Sequence, residues 1–368
     1  MSQKVLLIAY YFDPFKGVGS KRMSYWADAF FKDSSFQCTV ITAIPQQKPD
    51  PRIFYVEDPG NSWASSLFQG LSWVPKLKQF LGSNNEFNFD YAVISGGPFG
   101  HFGISRFLKK KYNCRVILDF RDPFSRNTRF KTFFLKDFIK LAFERNFLKY
   151  ADGVITVNTY CKELLLKHVP EDKISIIENG YDERVMDTIT AEKYDDGYHH
   201  IVYSGSFYED RNPSVFLQTL TKYNADAFVK FVFHHIGEQS EYLLPFRGSA
   251  FIVEHGLRSY KGAIEIMKKC AVGLIVTGGE PMESTTKVYD YIGCELDILI
   301  VTSGVAKTGS IGKVTAKVRE KTFWSKNNEE EIMLFFKKYE PRHSTLRNKR
   351  EFSRNAGFEA LRGILKKS

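Results

Sequence analysis

The feature that most constrains the fold is an alternation of short apolar runs with longer helical patterns, repeated along the chain. The runs hold mainly aliphatic residues without polar alternation, which is typical of strands buried on both faces of a sheet. They lie at residues 5–9, 38–42, 91–95, 116–120, 153–157, 174–177, 201–203, 231–234, 272–276 and 298–301, and helical patterns cover 20–31, 259–269, 284–293, 328–339 and 346–366. This order predicts parallel, doubly wound sheets.

The alternation is interrupted once, by a polar segment at residues 182–200. The 368 residues exceed one typical domain and suit two. We therefore expect an α/β protein with two Rossmann-like domains, at residues 1–185 and 186–345, followed by a C-terminal helix at 346–368. Ligands of open parallel sheets bind where the carboxyl ends of the strands and the following loops meet. The loops after strands, facing a cleft between the domains, are therefore the candidate sites.

Composition narrows the classes of partner and compartment. The net charge of +10 favours anionic partners such as nucleic acid, anionic lipid or phosphorylated substrates, although an ordinary soluble surface has the same composition. The five cysteines are odd in number and include no C-x-x-C pair, which argues against a disulfide framework or a cysteine zinc site. No apolar run approaches the roughly 20 residues of a membrane span. We therefore expect a cytoplasmic chain, with binding to the inner membrane surface left open.

Two loops in the first half carry candidate ligand contacts. Gly17 and Gly19 lie between the first strand and the first helix, where the backbone can approach a phosphate; a tight turn alone is the alternative. His101 follows the glycine-rich loop after the strand at 91–95. We expect His101 to face the cleft and to orient or deprotonate a hydroxyl, although most histidines are surface or core residues.

A further pair of charged residues ends the strand at 116–120. Arg121 and Asp122 lie there, just before a proline. Polar groups at the carboxyl end of a strand can reach a ligand. The alternative is an ion pair between the two side chains that holds the loop.

The second half offers a comparable loop with a cation. Gly205 and Ser206 follow a strand, and the glycine allows the backbone to approach a ligand closely. Arg211 precedes the next helix, where a guanidinium can bind a phosphate through two hydrogen bonds.

Another cluster begins a predicted helix later in the second half. Ser284, Thr285 and Thr286 are suitable N-cap residues, and the helix dipole together with Lys287 favours a phosphate. Asp290, one turn later, can accept hydrogen bonds from ribose hydroxyls. The alternative is an ion pair between Lys287 and Asp290 at i, i+3.

These segments together resemble the GT-B glycosyltransferases, and in particular family 4 of the retaining enzymes. YYFDPFKGVGSKR is similar to the opening glycine loop of the family, LDFRDPF to an Asp-x-Arg-Asp-Pro-aromatic motif, YSGSFYEDRNPSVFL and STTKVYDYIG to donor-binding segments, and FSRNAGFEALRGIL to the last helix. The resemblance covers nearly the whole chain and implies a nucleotide-sugar donor and a final helix that crosses back to the first domain. The chain has no Asp-x-Asp cluster of the kind that holds a divalent ion between phosphates, so we expect neither a metal nor a cofactor.

The resemblance also implies roles by position. Arg211 and Lys287 would neutralise the donor diphosphate, and Asp290 stands where the family usually has a glutamate that binds the ribose. Gly17 and Gly19 would border the donor phosphate and the acceptor.

The chain departs from the family at three points. Glu283 and Asp290 are seven residues apart rather than eight, and Glu295-Leu296-Asp297 replaces the usual Gly-Lys-Pro. Arg121 lies near the position of the transferred sugar where many members carry a histidine, so a histidine base is excluded there. These departures affect the catalytic details rather than the fold.

The stretch from Arg121 to Lys149 holds eight basic and three acidic residues. It includes an apolar stripe formed by Leu135, Phe138, Ile139, Ala142 and Phe143. Such a helix either lies on an anionic bilayer and presents a lipid-linked acceptor, or packs its stripe on the core and leaves a solvated basic face. Nucleic acid is not an expected partner, because no RNP, KH or zinc signature is present.

The sequence thus favours a glycosyltransferase that moves a sugar from a nucleoside diphosphate to a polysaccharide, lipopolysaccharide or lipid-linked acceptor, with retention implied by the resemblance. Arg211, Lys287 and the helix start would stabilise the negative charge that builds up on the leaving diphosphate. Two alternatives stay open: a sugar-nucleotide epimerase on the same fold, and a non-enzymatic module that holds membrane or nucleic acid on its basic face.

Overall fold

The chain divides into two compact units in a computed structural model that describes residues 2–15, 17–60, 68–125, 134–342 and 346–366. The first unit comprises Met1–Glu178 and Phe358–Ser368, and the second comprises Asn179–Gly357. The sequence pattern placed the division after residue 185. The units instead divide earlier, because Tyr181 and Met186 pack into the apolar core of the second unit.

The first unit is built on a seven-stranded sheet whose paired strands are all parallel, in the order β3-β2-β1-β4-β5-β6-β7. The strands are β1 Gln3–Ala9, β2 Phe36–Thr42, β3 Ile53–Tyr55, β4 Tyr91–Ser95, β5 Arg115–Phe120, β6 Gly153–Thr156 and β7 Ile174–Ile176. Helices α1 Val18–Lys32, α2 Trp73–Ser83, α3 Ser105–Tyr112, α4 Phe134–Leu148 and α5 Thr159–Leu165 connect them.

The apolar runs do not alternate because both faces of this sheet are covered. Leu6 and Ile8 of β1 point into one core, and Val5, Leu7 and Ala9 point into a second core on the opposite face. Successive residues of a strand face opposite sides of the sheet. A strand between two cores therefore has to be apolar at every position.

The second unit is built on a six-stranded parallel sheet in the order β10-β9-β8-β11-β12-β13. Its strands are β8 His199–Ser204, β9 Phe231–Ile236, β10 Ile252–Glu254, β11 Val272–Thr277, β12 Asp297–Thr302 and β13 Thr322–Lys326. Its helices are α6 Glu183–Met186, α7 Ser214–Asp226, α8 Tyr260–Lys269, α9 Lys287–Gly293, α10 Gly309–Ala316 and α11 Glu329–Lys338. Helix α12, Arg354–Lys366, follows.

Helix α12 carries the chain back into the first unit, as the resemblance implied. Phe358, Leu361 and Leu365 share one face at helical spacing and join the core beside α1. The Phe358 and Phe30 rings meet edge to face with centroids 4.9 Å apart. Arg362 adds an ion pair with Asp33 at 3.0 Å.

The strand order reverses once in each sheet. Chain order proceeds outward to one side from β1 and to the other side from β4, and likewise from β8 and β11. Loops that leave two neighbouring strands in opposite directions open a crevice at the carboxyl ends of those strands. The loops after β1, β4, β8 and β11 are therefore the places where each unit can hold a ligand.

The apolar stripe of α4 is divided between core and solvent. Ile139 and Phe143 pack against the core of the first unit, as the core-facing alternative predicted. Phe138 is 65% exposed. The side chain of Leu135 and residues 126–133 lie outside the described residues.

A buried ion pair connects two elements of the first unit. Asp119, at the end of β5, is fully buried and lies 3.3 Å from the guanidinium of Arg22 on α1. Ser95 donates a hydrogen bond of 2.9 Å to the second carboxylate oxygen of Asp119. Arg22 also donates to the carbonyl oxygens of Ile177 and Glu178. The pair therefore links α1, β4, β5 and the segment after β7.

We predict that Asp119→Asn lowers the free energy of unfolding of the first unit by about 3 kcal/mol, because it leaves the buried Arg22 charge without its counter-ion. Urea unfolding followed by circular dichroism measures the effect. Asp50→Asn is the control, since it breaks an exposed pair with Arg52 and should cost less than about 1 kcal/mol. Equal effects of the two substitutions would contradict the prediction.

Candidate functional site

One guanidinium ties together the loops at the switch point of the first unit. Arg121 Nε and Nη2 donate to the carbonyl oxygen of Gly96 at 3.0 and 2.9 Å. Arg121 Nη1 donates to the carbonyl oxygen of Gly19 at 2.6 Å. Arg121 therefore holds the loop after β4 against the first turn of α1.

The other residues predicted for this loop cluster have different surroundings. Gly17 is the N-cap of α1 with an extended backbone, φ −70° and ψ 159°. Asp122 follows Arg121 and is exposed. Their contacts with a donor or acceptor stay a prediction.

The structure places His101 differently from the sequence prediction. The side chain is fully buried in the 3₁₀ helix Gly100–Ile104, and its Nε2 lies 3.0 Å from the carbonyl oxygen of Ser95. The rings of Tyr10 and Trp73 lie beside it. Burial lowers the pKa of His101 to about 4. A neutral ring enclosed in the core packs the loop after β4 and cannot meet a substrate hydroxyl from there.

A buried ion pair joins the two loops at the switch point of the second unit. Arg211 ends the 3₁₀ turn Glu209–Arg211 after β8, and Glu283 lies in the loop after β11. Arg211 Nη2 lies 2.5 Å from Glu283 Oε1, and the two side chains are 10% and 8% exposed. Thr277 Oγ1 donates to the other oxygen of Glu283. The Nε of Arg211 has no hydrogen-bond partner among the described residues.

Lys287 contacts the ring of a tyrosine whose hydroxyl is affected by the charge of Arg211. The Lys287 Nζ is 4.8 Å from the ring centroid of Tyr203, the distance of a cation–π contact. Burial raises the pKa of the Tyr203 hydroxyl, and the nearby Arg211 charge opposes this rise. Both cations that the sequence assigned to the diphosphate therefore lie at the switch point of the second sheet, in segments that follow β8 and β11.

The position of the lysine depends on a glycine. Gly205 has φ +118°, a conformation that residues with a side chain rarely adopt. A Cβ at this position would lie 3.1 Å from both Cε and Nζ of Lys287. The carbonyl oxygen of Gly205 bonds to His235 Nε2 at 2.9 Å. The carbonyl oxygen of Ser206 accepts from Tyr203 at 3.0 Å.

Helix α9 begins later than the sequence pattern indicated. Its first residue is Lys287 rather than Ser284, and its N-cap Thr286 makes no side-chain capping bond. Ser284 and Thr285 instead belong to the loop after β11, in which Thr285 is buried. The backbone N–H of Lys287 donates to the Thr285 hydroxyl at 3.4 Å.

Asp290 binds a tyrosine within the second unit. Tyr260 donates to Asp290 Oδ1 at 2.6 Å. Burial and the charge of Asp290 raise the pKa of Tyr260, so the tyrosine stays a donor near neutral pH. A contact between Asp290 and a ribose therefore remains a prediction. In such a contact the carboxylate would accept from the ribose and from Tyr260 together.

Sequence inspection did not identify the partners that orient these charges. The sequence shows the spacing of Glu283 from Asp290 but not the ion pair of Glu283 with Arg211. Tyr203 and Tyr260 appeared as ordinary aromatic residues of a strand and a helix start. No short-range pattern carries this information, because each contact joins residues separated by at least 30 positions.

Two further properties concern metals and membranes. Within the described residues, no three His, Cys, Asp or Glu side chains are grouped so that they could share a metal ion. None of the described helices has the length and apolar character needed to cross a bilayer.

Comparison with known proteins identifies the fold and a family match over part of the chain. Residues 30–185 match the model of Glycosyltransferase Family 4. No curated protein sequence matches the chain. Sucrose-phosphate synthase from Thermosynechococcus elongatus is similar in structure, with a TM-score of 0.72, 12% identity, and 98% of both chains covered.

Two other solved structures show that this fold serves different reactions. WaaG, a glycosyltransferase involved in lipopolysaccharide biosynthesis, has a TM-score of 0.64 at 13% identity, over 99% of this chain and 95% of WaaG. The UDP-GlcNAc 2-epimerase from Methanocaldococcus jannaschii has a TM-score of 0.60 at 11% identity, over 100% of both chains. At such identities the structures establish the architecture alone. Residues 30–185 therefore resemble Glycosyltransferase Family 4, in a chain that has the GT-B fold.

Proposed function

We propose that the chain is a glycosyltransferase that moves a sugar from a nucleoside diphosphate to a hydroxyl acceptor, with retention of the anomeric configuration. The main support is that two cations lie at the switch point of the second sheet: Arg211, paired with Glu283, and Lys287, which contacts the Tyr203 ring. In this proposal the second unit holds the donor and the first unit provides the acceptor side.

The proposed mechanism follows from where charge develops. Breaking the bond between the anomeric carbon and the diphosphate leaves negative charge on the phosphate oxygens, and positioned cations stabilise it. Arg211 is only 10% exposed, so its attraction for an anion is weakly screened by water. Glu283 holds the guanidinium in place, while the buried Arg211 Nε, unpartnered in the described residues, offers a further donor.

The nature of the acceptor rests on analogy. WaaG, whose structure this chain resembles, is involved in lipopolysaccharide biosynthesis, and we propose an acceptor of the same class, a polysaccharide, lipopolysaccharide or lipid-linked glycan. The epimerase alternative has the same fold. It is less well supported because the family match is to glycosyltransferases. An epimerase would convert the sugar nucleotide alone, without any acceptor.

A groove in the first unit supports peripheral contact with an anionic membrane. It has a volume of about 400 Å³, and its floor includes the buried rings of Phe102 and Phe147. Lys78 of α2 and Arg106 and Lys110 of α3 also line it. These three cations have no carboxylate partner within the part of the chain that the structure describes. Phosphate headgroups would suit such a lining.

We predict that Arg211→Gln combined with Glu283→Gln abolishes donor binding while avoiding an unpaired buried charge. A thermal-shift screen with UDP-, GDP- and dTDP-sugars provides the measurement, since a ligand at 100 times its Kd adds roughly 2.7 kcal/mol of stability. Arg247→Gln, at an exposed arginine of the same unit, is the control and should keep the shift. A flat response of the unaltered protein to every donor would refute the proposed function.

We also predict that Gly205→Ala weakens nucleoside diphosphate binding at least tenfold, because the added Cβ displaces the Lys287 ammonium. Titration calorimetry with UDP and GDP measures the affinity. Gly248→Ala is the matched control: Gly248 also has a positive φ, of +86°, but no atom lies within 4 Å of the added Cβ. Both variants should lose about 1 kcal/mol of stability. Only Gly205→Ala should lose affinity.

For the membrane contact, we predict that Arg106→Glu with Lys110→Glu lowers binding to vesicles containing phosphatidylglycerol at least tenfold. Lys167→Glu with Lys173→Glu changes the net charge equally at two exposed sites that do not line the groove. This control should lower vesicle binding less than threefold. Equal losses in both variants would show a diffuse electrostatic attraction and would argue against the groove.

A further inference from the structure

Three histidines of the second unit form a continuous row of hydrogen bonds that ends on a carboxylate. His200 Nε2 lies 2.9 Å from Asp196 Oδ1. His200 Nδ1 lies 2.8 Å from His234 Nε2, and His234 Nδ1 lies 2.9 Å from His255 Nε2. The proposed transfer reaction uses none of these groups.

The strand register explains the row. His200 belongs to β8, His234 to β9, and His255 directly follows β10. In the parallel pairing Val202 lies opposite His234, and His234 lies opposite Val253. Side chains two residues apart on a strand share a face, so all three rings lie on one face. The row runs from the amino end of β8 to the carboxyl end of β10.

The inner part of the row is shielded from water and its ends are accessible. His200 and His234 are 4% and 3% exposed. The ring of Tyr194 stacks on both, with centroid distances of 4.1 and 5.1 Å. In contrast, the Asp196 side chain is 47% exposed, and His255 is half-buried. Protons therefore exchange with solvent at the two ends.

The row is not a metal site. A shared ion needs several nitrogen lone pairs that point at one centre. In this row the two nitrogens of each inner ring point at two different partners. Those of His200 face Asp196 and His234, and those of His234 face His200 and His255, all at hydrogen-bond distances. The described residues accordingly contain no group that could hold a metal.

The carboxylate fixes the direction of every hydrogen bond in the neutral row. An ionised Asp196 can only accept, so His200 Nε2 carries a proton and His200 Nδ1 is an acceptor. His234 must then donate from Nε2 and accept at Nδ1, and His255 must donate from Nε2. In this state all three rings carry their proton on Nε2, and the outer Nδ1 of His255 is an acceptor.

One added proton reverses this order. A proton on His200 makes both of its nitrogens donors, and the adjacent Asp196 carboxylate stabilises the charge. His234 then accepts at Nε2 and donates from Nδ1, and His255 does the same. A second proton would place two N–H groups against each other, so the row binds one.

We propose that this row is a proton-responsive relay, in which uptake of one proton reverses both histidine–histidine hydrogen bonds and turns the outer Nδ1 of His255 from an acceptor into a donor. The protons balance as follows: one proton enters from solvent at His255 Nδ1, the Nε2 proton of His255 moves to His234 Nδ1, and the Nε2 proton of His234 moves to His200 Nδ1. Each transfer breaks one N–H bond and forms another, and the row gains one positive charge.

The outer end of the row is connected through His235 to the loop after β8, which belongs to the candidate donor site. The backbone N–H of His255 donates to the His235 carbonyl oxygen at 2.8 Å. The ring of His235 in turn bonds to the carbonyl oxygen of Gly205, the residue packed against Lys287. The relay therefore ends two hydrogen-bonded steps from the cationic centre.

This position couples the relay to the ligand, a consequence that rests on the proposed function. A nucleoside diphosphate is anionic, and its phosphate and ribose oxygens accept hydrogen bonds. It should therefore favour the protonated row. By linkage, binding takes up a proton and becomes tighter as the pH falls through the transition of the row.

Other charged groups around the row affect the pH at which it takes up its proton. Burial lowers the pKa of His234 to about 3, so the middle ring is not where the charge resides. Burial and the charge of Arg258 lower the pKa of His255. The bond from His200 lowers the pKa of Asp196 and keeps it ionised. Lys261, Glu265 and Lys269 of α8 flank the segment of Tyr194, and His199, His235 and Glu254 lie on the adjoining strands.

Nitrogen-15 NMR of histidine side chains in the free protein tests the relay. At pH 8 all three rings should show the Nε2–H tautomer. On acidification His200 should become doubly protonated, while His234 and His255 change to the Nδ1–H tautomer with the same midpoint. Three independent midpoints, or unchanged tautomers at His234 and His255, would overturn the proposal.

Variants separate the relay from a packing effect. His234→Phe keeps the ring stacked on Tyr194 but removes both nitrogens, so His255 should no longer follow the titration of His200. His199→Phe, in the same strand as His200, is the control and should leave the reversal intact. Circular dichroism confirms that each variant is folded. A His255 ring that still follows His200 in His234→Phe would contradict the relay.

Calorimetry with UDP and GDP in buffers of different ionisation enthalpy tests the coupling. Binding at a pH above the midpoint of the free row should take up as much as one proton, and His255→Phe should bind the nucleotide without this uptake. Binding without proton uptake in the unaltered protein would refute the coupling. Failure to bind either nucleotide would refute the proposed function and the coupling, whereas the tautomer reversal in the free protein decides the relay by itself.

Discussion

The constraint on which the rest depends is that both sheets are parallel and covered on both faces. Such a sheet has apolar side chains at nearly every strand position, as β1 shows. Ligand-binding groups then concentrate where strands end, and the reversal of strand order selects one pair of ends in each sheet. In the first unit Arg121 follows the adjacent strand β5, and its guanidinium bonds to the loops at that place. In the second unit Arg211 follows β8 and lies at that place itself.

The two guanidiniums illustrate different uses of the same position. Arg121 is committed to the carbonyl oxygens of Gly19 and Gly96 and thereby shapes the backbone of two loops. Arg211 is paired with a carboxylate and surrounded by low-dielectric protein. A buried charge of this kind is costly unless it is compensated. Glu283 provides the compensation, and it also fixes the direction in which the guanidinium points.

The sequence predicted the architecture because the relevant signals are local. Every apolar run proposed as a strand became one, since non-alternating runs follow directly from burial on both faces. The pattern missed β3 and β10, which have three residues each, and β13, which is mostly half-exposed. In these strands too few residues are buried to produce an apolar run in the sequence. The last helix begins at Arg354 rather than 346 because a 3₁₀ turn, Lys349–Phe352, precedes it.

The candidate site was less predictable, because its geometry depends on residues distant in sequence. Cationic residue types near strand ends could be identified as phosphate ligands, but the Glu283 counter-ion and the Tyr203 ring could not. His101 shows the reverse error: a polar residue beside a glycine-rich loop suggested exposure, yet the loop folds inward and encloses the ring. The histidine row is invisible in the sequence, because only strand register aligns its three members.

The return of α12 to the first unit affects when that unit can complete its folding. Its fold is not encoded by a contiguous segment, since Phe358, Leu361 and Leu365 complete the core on the α1 side. A ribosome has therefore synthesised the whole second unit before the N-terminal sheet can acquire this covering helix. Until then, the apolar groove beside Phe30 is open to solvent, and the maturation of the first unit waits for the synthesis of the second.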